Sequence, residues 1–410
     1  MTNGDHARGV LLLPAPKRVA SFAKEDLRTN LLWVITFGPG HGEAIVVRFP
    51  SGAVGVIDGC VTPQKPDGSD DPVRSLLREL GVTWLEFVCL THPHGDHFAG
   101  LTELLGAFEG RVRQLWYVST LTTAYVDALD RLITANGEDR KTSGLDKPKQ
   151  RARVFETIRS AVQGGADLRL LTSGVDLTFE REVKVHALGP SSHDLERSHE
   201  ALIRALLALK RDGRPPKDFD PNELSAALAL SYGTSQVVLG GDMIRGRNAR
   251  QGWRYAAAYL RRPGDEIGSV CRMLKVPHHG SEGAHEPEVS ARLAPELAVI
   301  TPFNRAAGQK PPREGELLRV RANSQMTVVT SPPQWLTSES AIQPLPRPMI
   351  RRRAKSRNRA LTVDHEGPRY SGVAVGVGAR GIEQVILAGN ASFYERAGLD
   401  PSRLFALLCG

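Results

Sequence analysis

The sequence predicts an α/β fold built as a layered sandwich of mixed sheets and helices. Short apolar runs rich in β-branched residues are separated by glycine and proline turns, helical stretches follow each group of strands, and this order occurs twice. A doubly wound parallel sheet would instead alternate single strands with single helices.

Taken in order, "LLWVITF" (31–37), "EAIVVRF" (43–49) and "GAVGVID" (52–58) read as a three-stranded meander joined by "GPGHG" and "PSG" turns. In "DPVRSLLREL" (71–80) Asp71 suits an N-cap and Pro72 the first helical turn. The strand "FVCLT" (87–91) runs into "HPHGDHFAG" (92–100), and Phe98, Leu101, Leu104, Leu105 and Phe108 then fall at the spacing of one helix. Helical stretches at 124–133 and 152–162 form an insertion covering residues 120–165. A strand follows at "VKVHALG" (183–189), then a helix over 195–210. "ELSAALALSYGTSQVVLGGD" (223–242) predicts a hairpin turning at Gly233. "CRMLKVPHHG" (271–280) and "ELAVITPFN" (296–304) supply two more strand ends, and "GVAVGVGARGIEQVILAG" (372–389) a closing hairpin.

With 410 residues, 41% of them hydrophobic and 24% charged, the chain has the makings of a large core. The divisions predicted are an N-terminal extension (1–30), a main domain (31–335), a Pro/Arg-rich linker (336–360) and a C-terminal hairpin and helix (361–410) packed on the core. "GVLLLPAP" (9–16) is too short to span a membrane and Asp5 spoils a basic leader, so the expectation is a cytoplasmic protein without membrane insertion. Cys60, Cys89, Cys271 and Cys409 lie far apart with no C-x-x-C pair, which favours reduced thiols over disulfides. The net charge of +8 permits a polyanionic partner. Its densest part, "RRRAKSRNR" (Arg351 to Arg359), reads as a solvated linker or as a phosphate-binding strip. Nothing in the sequence identifies a protein partner.

The chemistry is concentrated at strand ends. Extended backbone puts residues i, i+2 and i+4 on one face, so His92, His94 and Asp96 converge past the end of their strand, with His97 closing on the same point. Two further strands end in Asp242 ("QVVLGGD") and in His278 and His279 ("LKVPHHG"). Imidazoles mixed with carboxylates, without thiolate, predict one or two divalent ions held by His92, His94, Asp96, His97, Asp242 and His278, zinc first and manganese second. Asp242, as a bridge, would let two ions share a hydroxide.

The series "HPHGDHFAG", "GGD", "HHGS" resembles the metallo-β-lactamase-fold hydrolases, and its flanks are similar to the soluble domain of the ComEC-type competence DNA-uptake proteins and their free-standing relatives. "GPGHGEA" (38–44) stands where those have approximately V-G-Q-G-D-A. Asp58 of "GVIDGC", Asn222 and Ser225 of "NELSAAL", and Asn304 of "ITPFNR" match further motif positions. The likeness spans about residues 31–330 and implies a four-layer αββα sandwich with metals at the edge between two sheets, to which the chain adds the helical insertion and a C-terminal β-rich extension. It departs from the superfamily where another histidine usually serves the first metal, since "VHALGPSSH" (185–193) offers only His186 and His193.

The resemblance implies a phosphodiesterase acting on nucleic acid or a nucleotide through a metal-bound hydroxide. Asp96 would hold the second ion, and Asp58 would orient a ligand histidine or serve as a strand-end turn. His279 would protonate the leaving group, while Ser281, Asn304 and Arg305 would touch phosphate. A lactam, thioester or lactone hydrolase on the same metals, and a non-catalytic metal-binding regulatory module, stand as alternatives.

Overall fold

The protein is described here by a computed structural model, covering residues 13–40, 42–60, 71–118, 148–212, 221–259, 270–304, 310–333 and 371–395. Arg305, the basic run Arg351 to Arg359, most of the predicted insertion and the predicted C-terminal helix lie outside those residues.

The strands are β1 (Lys17–Val19), β2 (Leu32–Phe37), β3 (Ala44–Arg48), β4 (Val54–Ile57), β5 (Gly59–Cys60), β6 (Leu85–Leu90), β7 (Val112–Tyr117) and β8 (Asp167–Leu170). Further along come β9 (Val183–Gly189), β10 (Ala227–Tyr232), β11 (Ser235–Leu239), β12 (Val270–Lys275), β13 (Leu297–Ile300), β14 (Met326–Val329), β15 (Gly372–Gly378), β16 (Gly381–Ala388) and β17 (Ser392–Glu395). One sheet has the order β1-β16-β15-β2-β3-β4-β6-β7-β8, the other β17-β14-β13-β12-β11-β10-β9. The predicted meander is β2–β3–β4, paired antiparallel throughout. The hairpin over Gly233 is β10–β11.

Both sheets are apolar on both faces, which is why their strands read as near-continuous hydrophobic runs. In β13, Leu297 and Val299 face the larger core, while Ala298 and Ile300 face a second core with Trp253, Val289, Leu293 and Leu317 from helices packed outside. On the outer side of the first sheet, Leu76, Leu77, Leu104, Leu105, Phe155 and Ile158 bring helices onto it. The layers therefore run helix, sheet, sheet, helix, as the αββα expectation requires. Phe87 and Trp116 stack at 3.7 Å between ring centroids within the larger core. Cys60, Cys89 and Cys271 are buried free thiols.

Strand direction positions the site. β4, β6, β7 and β8 are mutually parallel, and so are β11, β12, β13 and β14. Parallel neighbours deliver the loops after their carboxyl ends to one edge. The segments after β4, β6, β11, β12 and β13 thus meet along a common seam, and those are the segments carrying Asp58, the histidine motif, Asp242, His278–His279 and Asn304.

Two local findings revise the sequence expectation. Asp71 caps Pro72–Glu79 as predicted, accepting the Val73 and Arg74 amides. The helix expected to run from His97 through Phe108 is instead broken into Gly95–Phe98 and Leu101–Ala107, with Gly100 at φ 88° between them. Gly59 and Cys60 pair in parallel with Phe98 and Ala99, and this contact distant in sequence pulls the backbone out of the helix. The second finding concerns the closing hairpin: β15 joins the first sheet beside β2, and β17 joins the second beside β14.

Candidate metal centre

β4 and β6 end side by side, so Asp58 lies against the start of the histidine motif. Its backbone adopts φ 59°, a region few residues other than glycine and Asn/Asp enter. Three hydrogen bonds hold it there: Asp58 accepts the Thr91 amide at 2.8 Å, the Thr91 hydroxyl at 2.7 Å and the His97 Nδ1 proton at 2.7 Å. With Nδ1 engaged, His97 presents Nε2 to the seam.

Gly241 turns the chain after β11. At φ 52°, with Ala226 O only 2.3 Å from where a Cβ would stand, it admits no side chain. The turn buries Asp242, whose amide donates to Ser225 Oγ at 2.8 Å. After β12, His278 and His279 both take left-handed backbone, φ 47° and 56°. His279 donates Nδ1–H to Thr301 O at 2.8 Å, so its Nε2 also faces the seam.

One donor atom from each of Asp96, His97, Asp242 and His279 lies within 4.8 Å of the others. His97 Nε2 is 3.3 Å from Asp242 Oδ2, and His279 Nε2 is 3.2 Å from Asp96 Oδ2 and 3.6 Å from Asp242 Oδ2. His92 and His94 adjoin them, His92 Nε2 lying 3.1 Å from His94 Nδ1 and 3.9 Å from Asp242 Oδ2. His97 Nε2 and Asp242 Oδ1 are buried and form no hydrogen bond. Buried polar atoms are nearly always satisfied, and two such atoms converging with imidazole and carboxylate donors fit a divalent cation.

Electrostatics point the same way. Burial, aided by His97 and His94, pushes His92 well below the usual histidine range, which leaves its imidazole neutral, the form that ligates a metal. Burial also acts to lower His97, but Asp242, Asp58 and Asp96 outweigh it and hold it well above that range. His279 is raised in the same way by Asp242, Asp96 and Glu43. Asp96 and Asp242 resist the upward push of burial because His97 and His279 keep them low. At Asp58 burial prevails over His97 and Thr91, and the carboxyl is raised. Protons on His97 and His279 thus balance the carboxylates, in the place a cation would fill.

The four-donor group contains His279, whereas the sequence assigns the ligand place to His278. His278 Nε2 is 3.9 Å from Asp242 Oδ2, and its side chain is 27% exposed against 3% for His279. Ser281 donates its amide to His278 O and borders a cavity of about 50 Å³ on the helix-packed side of the second sheet, with Trp253, Leu274 and Ala298. Asn304 is tied to Gly40 O through its amide at 2.7 Å and to Pro332 O through Nδ2 at 2.9 Å. Its Oδ1 is buried without a hydrogen bond. His186 lies opposite Asp176 on β9, and His193 stands 4.0 Å from Glu196, so neither joins the donor group.

Sequence reasoning missed the supporting residues: Thr91 and Thr301, which end β-strand segments beside the histidines, and Lys275, which is buried under them with Glu43. A lysine at the buried end of the strand Val270–Lys275, just before the His278–His279 segment, was the one signal for the last pair.

Among the described residues, no helix is long and apolar enough to cross a membrane. No protein-family model matches the chain, and no curated protein matches it. Among the solved structures that match this one over part of its length are two of low identity. One is a beta-lactamase domain protein from Burkholderia ambifaria, 14% identical over 50% of each chain, with a TM-score of 0.25. The other is a long form RNase Z from yeast, 11% identical over 67% of this chain and 37% of that one, with a TM-score of 0.33. The chain therefore spans half the length of the first and about a third of the second, and neither likeness is close enough to carry function.

Proposed function

We propose that the protein is a metal-dependent hydrolase that cleaves phosphodiester bonds in nucleic acid or a nucleotide. The observation that carries the metal reading is the group Asp96, His97, Asp242 and His279, with the buried His97 Nε2 and Asp242 Oδ1 lacking hydrogen bonds. When bound, zinc or manganese would acidify a water and take up charge developing on phosphoryl oxygens.

The chain's own residues then divide the work. Asp96, His97, Asp242 and His279 would hold one ion, and His92 and His94, which adjoin Asp242, would serve a second. Asp58 and Thr301 O fix the Nδ1 protons of His97 and His279 and so leave each Nε2 as the nitrogen that would face a metal. His279 takes the ligand role and His278 the proton-donor role, an exchange favoured by their exposures and distances to Asp242. In hydrolysis, a water would add its oxygen to phosphorus and release a proton to solvent, the ester P–O bond would break, and His278 would pass a proton to the departing oxygen and regain one from solvent. Asn304, with its unsatisfied Oδ1 beside Gly40, serves the neighbourhood of the phosphate less directly than the sequence suggests, because its amide nitrogen is committed to Pro332. The motif resemblance and the net charge of +8 favour a phosphodiester over a lactam or thioester.

The test is turnover of an activated phosphodiester, an acyl thioester and a β-lactam by protein loaded with zinc or manganese. Diester cleavage is expected, lost on chelation and lost in Asp96→Ala and Asp242→Ala with secondary structure unchanged. Cleavage of the lactam or thioester alone would replace the substrate reading, and absence of bound metal after reconstitution would end the metal reading.

A further inference from the structure

Lys275, the last residue of β12, has no exposed surface. Lysine is almost never fully buried unless paired, and the reaction proposed above makes no use of it. Its ammonium forms an ion pair with Glu43 Oε2 and donates to Gly241 O at 3.0 Å. Each contact is one step from a metal donor. Gly241 precedes Asp242, and its carbonyl also accepts the His278 amide at 2.9 Å. Glu43 Oε2 accepts the Thr301 hydroxyl at 2.7 Å and stands 3.9 Å from His279 Nδ1.

We infer that Lys275 and Glu43 are a positioning pair for the metal centre, Lys275 fixing the peptide that aims Asp242 and Glu43 fixing the wall behind His279. The inference rests on the reading that Asp242 and His279 hold metal, and is independent of the substrate. A buried ion pair is a poor means of stabilising a fold, since apolar residues of like volume often do as well or better. The pair does give the site two things an apolar replacement lacks. The ammonium is a donor that clamps the Gly241 carbonyl. It also keeps Glu43 seated against Thr301, although that carboxylate has an oxygen within 4.8 Å of donor atoms on Asp58 and His97. Glu43 thus supports the centre from outside without joining it.

The test compares wild type, Glu43→Gln and the double variant Lys275→Met/Glu43→Gln, the last leaving no unpaired buried charge. Zinc affinity is measured by chelator competition, ligand geometry by the visible spectrum of the cobalt-substituted protein, and folding by circular dichroism. Both variants are expected to fold and to bind zinc about 10- to 100-fold more weakly, with altered cobalt bands. Wild-type zinc affinity and cobalt bands in either variant would overturn the inference. Failure of the wild-type protein to bind zinc or cobalt would remove the metal reading on which it stands. Nitrogen-15 NMR of zinc-loaded wild type is expected to find the His279 proton on Nδ1, and a proton on Nε2 would overturn the inference even if both variants failed to fold.

Discussion

At the scale of single residues, two imidazoles of the proposed centre, His97 and His279, each have Nδ1 held and Nε2 turned to the seam. Asp58 holds Nδ1 of His97 and Thr301 O holds Nδ1 of His279. In the absence of metal the offered nitrogens draw protons, because the surrounding carboxylates raise both histidines. A group raised on folding stabilises the fold fully below its unfolded value, about 6.5 for histidine, and that stabilisation is lost as pH rises through the folded value. The melting temperature of chelator-treated protein is therefore expected to fall as pH rises above about 6.5, while zinc affinity rises in the same direction because binding expels those protons. Calorimetry at a series of pH values checks both trends, and a melting temperature that climbed instead would reverse the assignment. His92, His94, Asp96 and His97 are legible as candidate donors because they are spaced along a segment that reads as extended backbone, and Asp242 because it ends a predicted strand. It does not separate His278 from His279. Adjacent residues in left-handed conformation diverge in a direction that no periodicity describes.

At the scale of elements, the strands and hairpins were legible because β-branched runs end at glycine turns, as in β10–β11 over Gly233. The break at Gly100 was not, since it depends on pairing with β5, about forty residues earlier. The turn after β11 is equally demanding. In Gly241→Ala the left-handed backbone costs about 1–2 kcal/mol, and the overlap with Ala226 O adds about 1–3 kcal/mol. Gly81, at φ 67° with open space where a methyl would stand, makes the control: Gly81→Ala incurs only the backbone cost, about 1–2 kcal/mol. Denaturant unfolding of the two variants is expected to separate them, with metal binding lost only in Gly241→Ala. Equal destabilisation with intact metal binding in both would show that the turn does not aim Asp242.

At the scale of the whole molecule, the last described strands tie the two sheets into one body. β15 and β16 complete the first sheet beside β2, and β17 completes the second beside β14. Arg272 is buried in an ion pair with Glu296 and donates to Arg380 O at 2.7 Å, fastening the hairpin turn to the second sheet. Removing residues 371–410 would expose the edges of β2 and β14, and unpaired edges invite association. The shortened protein is expected to aggregate or to melt well below the full chain. A monomeric, cooperatively melting product would show that the core closes without these strands. The layered α/β sandwich was readable from the apolar runs and its αββα order from the motif resemblance, whereas the sharing of one terminal segment between both sheets was not, because strand partners remote in sequence leave no local trace.

The seam where the donors meet has a consequence beyond chemistry. Asp96 and His97 are carried by the leaf that contains β6, Asp242 and His279 by the leaf that contains β11 and β12. An ion held by all four would be a rivet between the leaves, and linkage requires that whatever strengthened the rivet would also resist their parting. Substitutions anywhere along the inter-leaf packing, even far from the histidines, should loosen the ion in proportion to how far they ease the leaves apart, and the bound ion should slow amide exchange at strand ends on both sides together.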